Sequence, residues 1–177
     1  GPVVTRTFPD PLARPDGETA VQLTAAEFTE RLFLRETVPG TVGAVTEIEP
    51  EPVELLVRES SLYVLWEREA TTATRPKLTY TMLPEENVAD GERLGFDGVV
   101  TTAGGETRVV GEEAVTVVSD VFERVATRGR ATEADIEAAR VELDRGSLSE
   151  SQFERLCRAW LHSGDGGAVD VGGVDGE

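Results

Sequence analysis

Apolar and β-branched residues recur along the first two thirds of the chain in short runs divided by turn formers, and this rhythm predicts strands. The run from Lys77 to Leu83 shows it best. Leu78, Tyr80 and Met82 fall on one face and Lys77, Thr79 and Thr81 on the other, the period of two that a half-buried strand requires. Comparable runs span Val3 to Phe8, Thr19 to Thr24, Arg31 to Thr37, Val42 to Ile48, Val53 to Val57, Leu62 to Trp66, Phe96 to Thr101, Thr107 to Val110 and Ala114 to Val118. Each is too short for a persuasive helix, and their spacing is close to the roughly 8–12 residues expected between the strands of a sandwich. The breaks have physical causes. Pro9, Pro11 and Pro15 remove ladder donors ahead of an Asp16-Gly17 turn, and Pro39-Gly40, Glu49-Pro50-Glu51-Pro52 and Ala103-Gly104-Gly105 punctuate in the same way.

Beyond Val118 the period lengthens from two to nearly four. Val118, Phe122 and Val125 follow helical spacing, and Ile136, Ala139, Val141 and Leu143 make a second stripe behind Thr132 and Asp135, an N-capping arrangement. Ser149 and Gln152 then have the form of a capping box, followed by Phe153, Leu156, Cys157, Trp160 and Leu161 at i, i+3, i+4, i+7 and i+8. Gly146 reads as a helix stop, so residues 132–162 are expected to form a helical hairpin with packed apolar faces. The predicted architecture is therefore mainly β. An antiparallel β-sandwich covers residues 1–118, and a small C-terminal α-helical segment of two to three helices covers 119–162. A Gly/Asp-rich tail over 163–177 has too little apolar surface to offset its ordering entropy and is expected to be disordered.

Composition narrows the partners. Of 177 residues 39% are hydrophobic, enough for a real core, while 34 acidic residues against 17 basic ones leave a formal charge of −17. Lys77 is the only lysine. A phosphate backbone is bound by clustered Lys and Arg, so no nucleic-acid partner is expected. Such an acidic excess, with Lys nearly absent, reads as adaptation to concentrated salt, where a Debye length of about 3 Å screens the self-repulsion that would weaken the fold in dilute buffer. Cys157 is the single cysteine, which excludes an intrachain disulfide, and no apolar run approaches the roughly 18 residues of a membrane span. The opening Gly1-Pro2 in place of Met reads as the start of a processed or recombinant fragment, so the lack of a signal peptide or anchor in this sequence proves nothing.

The first 118 residues resemble the repeat-type Ig-like β-sandwich modules of archaeal and bacterial surface and secreted proteins, haloarchaeal ones in particular. The resemblance rests on Val4-Thr5-Arg6-Thr7-Phe8-Pro9, on Leu32 through Gly40, on Trp66 late in a central strand, on Leu78-Thr79-Tyr80-Thr81 followed by Pro84, and on Gly95-Phe96-Asp97-Gly98. It implies an Ig-like antiparallel sandwich that spaces or binds other proteins at a cell surface. The helical segment is similar in outline to dockerin-like helix pairs that follow such modules. Calcium binding by that route is not expected, because Asp144-Arg145-Gly146-Ser147 supplies one carboxylate where an EF-type loop needs several oxygen ligands at alternate positions.

Candidate chemistry is sparse. His162 is the only histidine, and its place at a helix end is explained by the C-terminal dipole; it lacks the further ligands or paired nucleophile of a metal or catalytic site. Cys157 sits on an apolar helix face, where a thiol serves as a small hydrophobe. Glu85-Glu86, Glu112-Glu113 and the Glu47, Glu49, Glu51 cluster read as solvated faces, the last with possible weak cation binding. A glycosidase needs an opposed carboxylate pair with one member in an apolar pocket, and no pair is singled out that way. Gly104-Gly105 belongs to a hairpin and is not a phosphate loop. Trp66 and Tyr80 are expected in the core, while Tyr63, of opposite strand parity to Trp66, is expected outside. No catalytic residue, metal ligand or cofactor is expected.

The reading is a non-catalytic structural or protein-binding module of a surface or exported assembly in a halophilic archaeon. Its partner is a protein or neighbouring copies of itself, met through Tyr63, Phe153, Leu156 and Trp160. A carbohydrate-binding accessory module and an intracellular adaptor are the alternatives.

Overall fold

The computed structural model describes residues 3–26, 31–67 and 75–163. The chain divides into two compact units, Gly1–Val117 and Val118–Glu177.

The described strands of the first unit are β1 (Val4–Thr7), β2 (Leu12–Ala13), β3 (Thr19–Ala25), β4 (Arg31–Thr37), β5 (Gly40–Glu49), β6 (Glu54–Arg58) and β7 (Ser61–Glu67). They continue with β8 (Lys77–Pro84), β9 (Arg93–Gly95), β10 (Asp97–Thr102), β11 (Gly105–Arg108), β12 (Val110–Gly111) and β13 (Ala114–Val117). Two five-stranded sheets, in the orders β12-β1-β3-β8-β5 and β11-β10-β4-β7-β6, are accompanied by a small sheet β2-β13-β9. The chain is thus the mainly β sandwich that its periodicity predicts. Two pairings are parallel, β1 with β12 and β2 with β13, so the antiparallel rule holds for the central strands and fails at these two-residue additions.

Alternation builds the core. Leu78, Tyr80 and Met82 of β8, Val21 and Leu23 of β3, Leu32 and Leu34 of β4, and Leu62, Val64 and Trp66 of β7 form one cluster, each at most 3% exposed. Trp66 and Tyr80 fill the interior, as their strand positions require. The Trp66 indole N–H donates to the Pro50 carbonyl at 2.9 Å, which satisfies its one polar group. Two strands escaped the sequence pattern. Leu12–Ala13 lies among prolines, yet pairs with β13 because two residues suffice for the ladder there; Arg93–Gly95 holds a single inward residue, Leu94.

The second unit contains α1 (Val121–Arg128), α2 (Glu133–Asp144) and α3 (Glu150–Ser163). Both expected capping boxes form: Thr132 and Asp135 bond reciprocally at the start of α2, and the Gln152 N–H donates to Ser149 Oγ at 3.1 Å while Gln152 Oε1 accepts from the Ser149 N–H at 2.9 Å. Gly146 has φ 80°, which a residue without Cβ adopts without strain at a helix end. Val121, Val125, Ala131, Ala139, Leu148, Leu156 and Ala159 form this unit's core, with Phe122, Ile136 and Phe153 packed against it. Two details differ from the stripe read in the sequence. Val141, about 200° round the helix from Ala139, is 41% exposed, and burial on α3 runs through Leu156 and Ala159 and leaves Trp160 outside. Ser163, expected in the tail, ends α3 by donating to the Ala159 carbonyl; the rest of that tail, 164–177, lies outside the described residues.

Candidate functional site

The two broad sheets differ on their outward faces. On the first sheet that face carries Thr5, Thr7, Gln22, Thr24, Lys77, Thr79 and Thr81, brought side by side by the registers Thr5↔Thr24, Gln22↔Thr79 and Thr24↔Lys77, with exposed Val110 on the edge strand β12 and exposed Leu83 at the end of β8. Its centre is the polar surface expected where a sheet meets water. The outward face of the second sheet is different. Register places Leu56, Tyr63, Arg35, Val99 and Arg108 in one row across it, and Glu54, Leu65, Phe33, Thr101 and Glu106 in the next. Phe33 and Tyr63 are diagonal neighbours, half-buried and stacked, with ring centroids 6.3 Å apart and planes 23° from parallel. Leu56 is 42% and Leu65 39% exposed. At one end Phe33, Leu65, Val53 and Thr101 line a recess of about 390 Å³ beside the Arg31–Glu67 ion pair.

Charge on this face departs from the rest of the molecule. Arg31, Arg35, Arg58 and Arg108 match Glu54, Glu67, Asp97 and Glu106 one for one, whereas the whole chain carries twice as many acids as bases. The result is an apolar, aromatic stripe ringed by balanced charge, a composition suited to a contact surface.

Beneath that face lies a buried polar cluster that the strand pattern did not reveal. Arg6 of β1, Glu36 of β4 and Tyr80 of β8 point into the sandwich, at 1%, 0% and 0% exposure. Arg6 Nε and an outer guanidinium nitrogen donate to the Glu36 carboxylate at 2.8 and 2.5 Å, and the Tyr80 hydroxyl donates to it at 2.7 Å. The remaining Arg6 nitrogen donates to the Glu112 carbonyl at 3.1 Å, and the guanidinium carbon lies 5.7 Å from the centre of the Phe96 ring. Gly98 makes the space: a Cβ there would come within 2.6 Å of Glu36 Oε1 and 2.5 Å of Val109. Burial, the nearby Glu36 charge and the Glu36 hydrogen bond push the Tyr80 hydroxyl well above the usual tyrosine range. Burial alone would lower the Arg6 pKa, but hydrogen bonding and charge from Glu36 outweigh it and raise it. The cluster is closed to solvent and fully hydrogen-bonded, since no buried side-chain polar atom among the described residues lacks a partner. It links Arg6 and Tyr80 of the first sheet to Glu36 of the second, with all three side chains closed to solvent.

The other expected residues distribute as follows. Tyr63 lies on the outward face just described. Trp160 is 41% and Leu161 66% exposed, and with Ile136 and Cys157 they line a groove of about 420 Å³ on the helical unit. Phe153 packs against the helical core, and Leu156 is 0% exposed within it, so Leu156 joins the helices and is not available to a partner. His162 is exposed in the last turn of α3, and Glu85, Glu86, Glu112 and Glu113 are exposed. Glu47 pairs with Lys77 at 3.3 Å. No group of three His, Cys, Asp or Glu residues placed to hold a metal ion occurs among the described residues. No described helix is long and apolar enough to cross a membrane.

Phe33, Leu56, Leu65 and Val99 were not singled out in the sequence, though a signal was present. Leu32-Phe33-Leu34 and Leu62-Tyr63-Val64-Leu65-Trp66 are apolar without alternation, which in a two-sheet domain means a strand with something to cover on both faces.

The fold defines the first unit as a β-sandwich domain. Among solved structures it is similar to a non-cellulosomal cohesin from the hyperthermophilic archaeon Archaeoglobus fulgidus, at 13% identity and a TM-score of 0.44, over 66% of this chain and 92% of that one. It is also similar to a type I cohesin–dockerin complex from Clostridium thermocellum, at 15% identity and TM-score 0.40, over 66% of this chain and 99% of that one. A type II cohesin–X–dockerin complex from Acetivibrio cellulolyticus matches at 9% identity and TM-score 0.43, over 66% and 99% of the two chains. No protein-family model matches the chain, and no curated protein does.

Proposed function

We propose that this protein is a non-catalytic protein-binding module whose partner docks on the outward face of the β11-β10-β4-β7-β6 sheet. The contrast between the two outward sheet faces carries this reading. The first is threonine, glutamine and lysine at its centre, with Leu83 and Val110 only at its margins; the second presents Phe33, Tyr63, Leu56, Leu65 and Val99 at its centre within a ring of balanced charge. The sealed nature of the Arg6–Glu36–Tyr80 cluster supports a role without chemistry. Carbohydrate recognition is less well served, because Trp66 and Tyr80 are in the core and the Phe33 and Tyr63 rings are half-buried against each other.

Leu65→Glu and Tyr63→Ser variants, with Thr79→Glu on the opposite sheet as control, separate the two faces. Proteins captured by the wild-type chain are identified by mass spectrometry and their affinities measured by calorimetry. The first two variants are expected to weaken binding at least about tenfold while circular dichroism stays unchanged, as for central contact residues, and the control to leave it intact. Binding lost only in the control would place the contact on the other sheet and refute the proposal.

The module belongs, in this reading, to a surface or exported assembly of a halophilic archaeon. A net charge of −17 with a single lysine supports the salt adaptation. Thermal unfolding is expected to move to higher temperature between dilute buffer and molar KCl as self-repulsion is screened. An unchanged or falling midpoint would remove that support.

A further inference from the structure

β6 ends its sheet among the described strands, with β7 on one side only. Such an edge offers unpaired N–H and C=O groups to another strand. Arg58 and Ser61 pair directly across a two-residue turn, so they exchange both backbone hydrogen bonds, as does every second pair along the hairpin. Leu56 therefore bonds toward β7, while the N–H and C=O groups of Leu55 and Val57 point to the open side.

This edge reads the same from both ends. When Glu54-Leu55-Leu56-Val57-Arg58 is laid antiparallel against itself about Leu56, Glu54 falls opposite Arg58, Leu55 opposite Val57 and Leu56 opposite its own copy. The two residues with free backbone groups are thereby paired with each other, and opposite charges meet at both ends. Glu54 and Arg58 are exposed, and neither belongs to an ion pair among the described residues. Leu56 and Val57 are 42% and 40% exposed, an apolar edge that a chain meant to remain solitary would normally blunt with a central charge or proline.

We propose that β6 is a homodimer edge, where a second copy of this chain adds antiparallel about a two-fold axis at Leu56. The pairing joins two five-stranded sheets into one and sets the two Leu56–Tyr63 rows next to each other. It is independent of which partner the sheet face takes. An edge of five residues makes a small interface of the weak, transient class.

Sedimentation equilibrium of the full chain at about 0.15 M salt, at concentrations reaching about 1 mM, measures the association. R58E and E54R each set like charges opposite one another twice and are expected to weaken the dimer about tenfold or more, whereas E54R/R58E restores it. Register is tested by oxidation in a Cys157→Ser background. L56C is expected to form a disulfide-linked dimer, because residues facing each other in a non-hydrogen-bonded pair are about 4.5 Å apart between Cα atoms. R58C is expected not to, since it would lie about 13 Å from its own copy. A monomer at all concentrations, a dimer indifferent to R58E and E54R, or cross-linking by R58C in place of L56C overturns the proposal. None of these results bears on the Leu65→Glu test of the sheet face.

Discussion

Glu36→Ala is expected to remove about 3–5 kcal/mol of stability from the sandwich, a large part of the roughly 5–15 kcal/mol of an ordinary domain. Glu36 is wholly buried and is the acceptor for both Arg6 and Tyr80, so its removal leaves a guanidinium 1% exposed without a counter-charge. Gly98 backbone and Val109 close around the vacated space, and water has no ready path to replace the carboxylate. Urea unfolding at fixed salt measures the loss. A triple change, R6M/E36L/Y80F, is expected to recover most of it, because an apolar set of similar volume has no charge to strand. Tyr80→Phe alone removes one hydrogen bond to a charged acceptor and is expected to cost about 1.5–3 kcal/mol. It also changes the alkaline limb. The folded protein holds the Tyr80 proton more tightly than the unfolded chain does, so its contribution is complete below the ordinary tyrosine pKa of about 10 and is lost as the pH rises beyond that value. Tyr80→Phe is expected to flatten this alkaline decline. A cost below about 1 kcal/mol for Glu36→Ala would show that the cluster is not what holds the sheets.

Asp135→Ala is expected to melt the helical unit. Asp135 is 0% exposed and ties the start of α2 to α1. It accepts from the Thr132 N–H at 2.9 Å, from Arg124 of α1 at 3.4 Å and from Arg128 at 2.5 Å. The capping box contributes about 1 kcal/mol, and Arg124 and Arg128 both lose the buried carboxylate they share. A three-helix unit of this size has little apolar area in reserve. Hydrogen exchange is the suitable readout: amides of α1, α2 and α3 are expected to lose protection by about a hundredfold or more. Asp135→Asn, which keeps an acceptor for the cap, is expected to lose less. Protection within about tenfold of the wild type would mean that Asp135 is a cap and nothing more.

These two residues also mark how far the sequence could be read. Asp135 was legible as a capping residue because a cap depends on neighbours three positions apart. Its second role was not, since Arg124 and Arg128 reach it only after α1 folds back on α2. Glu36 was less visible still. It sits at the parity of Leu32 and Leu34, which marks it as inward, but a charge there makes sense only once Arg6 and Tyr80, remote in sequence, arrive from other strands. Tyr63 was read as outward from parity alone, and the structure has it there; its neighbours Phe33, Leu56, Leu65 and Val99 form a patch only when cross-strand register sets them side by side. Trp160 and Leu156 show the opposite limit, where a shared helical stripe concealed that one residue is exposed and the other buried.

Sequence by itself determined most of the strand segments and the helices, their caps and stops, the inward set of β8 and the acidic, lysine-poor composition. These follow from short-range rules: backbone preference, side-chain alternation and the sum of charges. Tertiary structure alone decided which sheet face is apolar, which charges are buried together and which strand is left as an edge. Each of those depends on contacts between residues far apart in the chain, and no local period encodes which distant strand will lie alongside.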